Sequence, residues 1–76
     1  MQNYANRGGD SNVQSFESGD DYIIVEFGGN GRYTTYKYTY ASAGQYVIEE
    51  MKSLALAGHG LNSYISSNKP DYSERW

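Results

Sequence analysis

Two acidic pairs, a single histidine, a glycine-rich turn and a tyrosine-rich hairpin are the features of this chain that suggest chemistry. Asp20-Asp21 and Glu49-Glu50 resemble the paired carboxylates of acid–base catalysis or a metal site. Adjacent residues in a turn point apart, however, and no histidine or third carboxylate has a sequence-defined place beside either pair. The plainer reading is a solvated turn for the first pair and a solvated helix face for the second. His59 stands in Ala57-Gly58-His59-Gly60 with no cysteine and no second imidazole in the chain. It lacks partners for a metal and a nucleophile to activate, so it reads as a turn residue. Gly28-Gly29-Asn30-Gly31 lacks the Lys-Ser/Thr ending of a phosphate loop and precedes a strand pattern, so it reads as a hairpin turn.

Tyr22 and Tyr33 beside Arg32 and Lys37 are a different case. Rings and cations on a sheet can stack unpaired bases, as single-strand binders do. Tyrosine and arginine are also the residues that anchor protein interfaces. The net charge of −3 and the scattered basic residues disfavour attraction to nucleic acid or anionic lipid. Asp20, Asp21, Glu26, Glu49 and Glu50 can instead present an anionic face to a basic groove. The expected partner is therefore a protein, with nucleic acid as the alternative through Tyr22, Arg32, Tyr33 and Lys37.

These residues depend on a small set of elements. Ile23 to Tyr40 is two β-rich runs joined by the glycine turn, centred on either Gly29-Asn30 or Asn30-Gly31. Both registers place Ile23, Val25, Phe27, Thr34, Tyr36, Tyr38 and Tyr40 on one face. Tyr22, Ile24, Glu26, Tyr33, Thr35, Lys37 and Thr39 fall on the other. Ser11–Glu17 has apolar anchors at Val13 and Phe16, a spacing that does not fit one face of a perfect strand and leads to the expectation of a short edge strand, either regular or bulged. After Tyr40 the period changes. Ser42-Ala43-Gly44-Gln45 has the form of a capping box, and Val47, Ile48, Met51, Leu54 and Ala55 form a helical stripe ending at Gly58. Leu61, Tyr64 and Ile65 predict a shorter second helix, which Pro70 terminates. Tyr72 is placed to fold back on the sheet, and Trp76 is either an anchor or a loose end.

The expected fold is α+β: a small three-stranded antiparallel sheet packed by one main α-helix and a shorter second helix. Residues 1–10 read as a flexible segment and 11–76 as a single domain. A chain of 76 residues buries only about 60% of its unfolded surface. Nine tyrosines suit so small a core, burying rings while keeping hydroxyls at the water boundary. No cysteine is present and no apolar run approaches a membrane span, which predicts a soluble cytoplasmic protein with no cofactor and no membrane partner.

From Ser11 to Arg75 the chain resembles the KTSC domain family, small proteins of phages and bacteria also found fused to some lysyl-tRNA synthetases. The matching pieces are S-N-V-Q-S-F, Y-I-I-V-E-F, a glycine turn, tyrosines alternating into a Tyr46-led helix, L-N-S-Y-I, Pro70, and the tail residues Tyr72 and Arg75. The K-T-S-C tetrapeptide itself is absent. The resemblance implies an α+β fold with a small antiparallel sheet and offers no established catalytic residues to carry over. Together with the acidic balance it leads to the expectation of a mobile-element protein that inhibits a host complex, such as a defence or CRISPR-type effector.

Overall fold

A computed structural model describes every residue except Asp10, Asn30 and Gly31 and, for side chains, Arg32 and Tyr33. The alternating runs form the long strands β3 (Tyr22–Gly29) and β4 (Arg32–Thr39), paired antiparallel from Tyr22↔Thr39 to Gly29↔Arg32. The turn itself, at Asn30 and Gly31, lies outside the described residues. Both strands obey period 2, so Ile23, Val25 and Tyr38 are buried while their neighbours Ile24 and Lys37 are only half-buried.

β2 (Val13–Ser18) pairs antiparallel with β3, with an irregularity between Val13 and Ser15. Without it, Val13 and Phe16 would point to opposite faces, three residues being an odd interval. The bulge restores both to the core side, where each is almost fully buried.

The expected sheet has three strands; among the described residues there are five, in the order β1-β2-β3-β4-β5. The two additions are β1 (Gln2–Asn3) against β2 and β5 (Glu74–Arg75) against β4. Two-residue strands have no period to read, and their pairing is held by tertiary neighbours. β2 is consequently an interior strand and not an edge.

Within the N-terminal segment, Tyr4 belongs to the core. Tyr4 is buried, its backbone N–H donates to the Gln14 carbonyl at 3.0 Å, and its hydroxyl accepts from the Leu61 N–H at 3.2 Å. The Arg7 N–H donates to the Gly58 carbonyl at 2.8 Å, which ties the segment to the end of the main helix.

The helical part is α1 (Tyr40–Ala43), α2 (Gln45–Ala57) and α3 (Leu61–Asn68). A capping box is present, but three residues earlier than the Ser42/Gln45 expectation. The Ser42 N–H donates to Thr39 Oγ1 at 3.1 Å and the Thr39 N–H to Ser42 Oγ at 3.0 Å. Gly44, at φ 95° and ψ 148°, then breaks the helix, and α2 starts afresh at Gln45. The two overlapping cap signals resolve this way because only glycine takes that conformation without strain.

α2 buries Ile48, Met51 and Ala55, and α3 buries Leu61, on the sheet face that carries Ile23, Val25 and Tyr38. Each large aliphatic side chain so buried contributes about 1.5–3 kcal/mol. Gly58 closes α2 in the left-handed region at φ 71°, and a Cβ there would collide with the Ala5 side chain. Among the described residues no helix is long and apolar enough to cross a membrane.

Candidate functional site

The turn between β2 and β3 brings Asp20 and Asp21 to one end of the sheet. Lys52 on α2 reaches this end: its Nζ donates to the Asp20 carbonyl and to Glu49 Oε2, both at 2.9 Å. The Tyr40 hydroxyl donates to the same Glu49 oxygen, and the Tyr40 N–H to the Asp21 carbonyl at 2.9 Å. The bond from Tyr40, then that from Lys52, holds the Glu49 carboxyl below its ordinary range. The Tyr40 phenol is in turn pushed up to about 12 by the Glu49 bond. One oxygen of Glu49 is thus engaged within the domain, while Asp20 and Asp21 contribute main-chain carbonyls and stay exposed to solvent. Glu50 lies apart, near Tyr46 and Tyr64. Among the described residues no group of three histidines or carboxylates is arranged to hold a metal.

The face of the sheet away from the helices carries the other predicted residues. Lys37 Nζ stands 5.0 Å from the centroid of the Tyr22 ring. That ring lies against Gly19, where any Cβ would collide with it. Ser15 Oγ donates to Glu26 Oε1 at 2.9 Å across β2 and β3.

The register extends this face in both directions. Glu17 is opposite Ile24, Ile24 opposite Lys37, and Lys37 opposite Glu74. Thr35 and Trp76 exchange main-chain bonds, the Trp76 N–H to Thr35 at 2.8 Å and the Thr35 N–H to Trp76 at 3.3 Å. Such a pair shares a face, so Trp76 joins it and remains exposed. Sequence reasoning missed Glu17, Glu74 and Trp76 here because it had no strand at 74–75 and no register for 13–18.

On the helix side, toward the hairpin tip, a cleft of about 600 Å³ remains between β4 and α3. Its floor is Phe27, Tyr36, Tyr38 and Ile65, and Tyr72 forms one wall. Tyr36 is the hub. Its centroid is 5.7 Å from Phe27 at 87°, 4.9 Å from Tyr72 at 74° and 6.1 Å from Tyr38 at 16°. The Arg75 guanidinium stands 5.7 Å from the same centroid. Burial, then the neighbouring Tyr36 and Tyr72, pushes the Tyr38 phenol up to about 12. A separate cavity of about 410 Å³ is lined by Tyr4, Asn6, His59 and Ser63.

Of the predicted binding residues, the structure brings together Tyr22, Lys37 and Glu26 on the open face, with Asp20 and Asp21 at its end. It leaves Glu49 and Glu50 on the helical side. The side chains of Arg32 and Tyr33 lie outside the described residues. Comparison of the chain with family models, with curated proteins and with solved structures returns no match.

Proposed function

We propose that this chain is a non-enzymatic protein-binding module, related to the KTSC domains, that covers a basic surface of a partner protein. The observation that carries this reading is the composition of the open sheet face. Among the described residues it sets three carboxylates (Glu17, Glu26 and Glu74) against one cation, Lys37, around Tyr22, Ile24 and Trp76. Asp20 and Asp21 continue the negative charge past its end.

Aromatic anchors inside a polar rim are the composition that protein interfaces favour, and this face offers both on strands without covering helices. The sign of the rim selects the partner. Phosphates would meet a three-to-one excess of carboxylates, whereas lysines and arginines of a protein would find acceptors. The KTSC resemblance supports placing the partner in the host of a phage or mobile element, a defence or CRISPR-type effector among the candidates.

Affinity capture from source-cell lysate, with and without nuclease, tests the reading. The comparison is between the native chain and a Glu17→Lys/Glu26→Lys/Glu74→Lys variant. The expected result is a nuclease-resistant protein partner that the variant no longer retains. Partners that disappear with nuclease would transfer the function to nucleic acid, and undiminished capture by the variant would move the interface off this face.

A further inference from the structure

We propose that the cleft between β4 and α3 is a second binding site, for a small planar aromatic molecule that carries an acidic group. Its volume of about 600 Å³ lies within the range of small-molecule sites. The floor is suited to a flat ring. Phe27 and Tyr72 meet Tyr36 edge-on, and Tyr38 lies nearly parallel to it, so edges and faces are offered at fixed angles. Asn62 and Ser66 on α3 supply polar groups along one wall, the small number of directional contacts such sites use.

The acidic group is assigned from the cations. Lys69 lines the cleft and Arg75 stands over Tyr36 beside it, both exposed. Neither makes an ion pair among the described residues, whereas Lys52 is paired with Glu49. Among the described lining residues Asp71 is the one carboxylate, so with Arg75 these residues keep a net positive charge in a chain whose total is −3. An unpaired guanidinium over a ring is placed to take a carboxylate in charge-assisted bonds while an aromatic body fills the floor. The phenol of Tyr38, protonated at neutral pH, adds no negative charge to oppose it.

The site is independent of the open-face interface, being on the other side of the sheet. Its test uses indole-3-acetate and the neutral indole-3-acetamide as probes, titrated into the full chain and followed by amide NMR shifts. The expected result is saturable shifts at Thr34, Tyr36, Asn62, Ser66 and Tyr72, with the amide about tenfold weaker. Arg75→Gln, at an exposed position, is expected to weaken the acid about fivefold and leave the amide unchanged. Ser66→Trp, at an exposed position on the cleft wall, should block both probes. No saturable shift at these residues would overturn the site. Equal binding of acid and amide would overturn its assignment to an anion.

Discussion

The two faces of the sheet are built from the same two strands and differ in nearly every other respect. On the covered face, Ile23, Val25 and Tyr38 are at most 3% exposed and lie under α2 and α3. One residue along, Tyr22, Ile24 and Lys37 are half-exposed and carry no helix. Charge divides in the same way. Carboxylates surround the open face, while Lys69 and Arg75 flank the gap left on the covered one. The difference teaches that one layer can pack the core on one side while it leaves a mixed charged and aromatic surface on the other. A domain this small has few residues to spare, and the period of 2 lets each strand serve both purposes.

The largest effect should come from comparing neighbours. Ile23→Ala is expected to cost about 3 kcal/mol in urea unfolding, with Ile24→Ala under about 1 kcal/mol, because only the first leaves a cavity. Equal losses would mean that the open face is not open.

Gly58→Ala should follow, at about 2 kcal/mol, since it combines a left-handed φ of 71° with a collision at Ala5. Adding Ala5→Gly should restore part of that loss in the same assay, and no restoration would argue against the docking of residues 4–7 on α2.

A smaller effect is alkaline. The Tyr38 phenol is raised to about 12 in the fold against 10 when unfolded, so the protonated form is the one the fold favours. Its contribution is complete below pH 10 and is lost as the pH rises toward 12, by on the order of 1–2 kcal/mol. Tyr38→Phe should flatten that part of the stability–pH curve, and an unchanged slope would place the titration elsewhere. Tyr40 titrates in the same window through Glu49, so Tyr40→Phe is the control.

The smallest change in stability is expected for Trp76→Ala, within about 0.5 kcal/mol, because the side chain is 61% exposed. Partner capture should nonetheless fall if Trp76 is an anchor of the open face. A loss of stability without a loss of capture would reverse its assignment.

Much of this layering was legible from spacing alone. The alternation from Ile23 to Tyr40 determines which side chains face the helices, and either hairpin register leaves that unchanged. The stripe Ile48, Met51, Ala55 with Gly58 behind it identifies the main helix, and Leu61 with Ile65 the next. What was not legible depends on contacts that have no local period. Thr39 and Ser42 compete with Ser42 and Gln45 for the same kind of cap, and only the conformation of Gly44 decides between them. Gln2–Asn3 and Glu74–Arg75 become strands because β2 and β4 present free main-chain groups to them. The cleft escaped notice for the same reason. Phe27, Tyr36, Ile65 and Tyr72 are distant in sequence, and each alone reads as ordinary core.

The two short marginal strands have a consequence for how copies of this protein meet. A long strand at the border of a sheet offers a row of main-chain donors and acceptors on which another chain can template itself. Here β2 is overlaid by residues 2–4 and β4 by residues 73–76, across the middle of each. An approaching sheet finds a two-residue ledge at either margin in place of a six- or eight-residue rail. Removing either ledge should therefore be felt first as edge-to-edge association and stickiness at high concentration, before it is felt as unfolding.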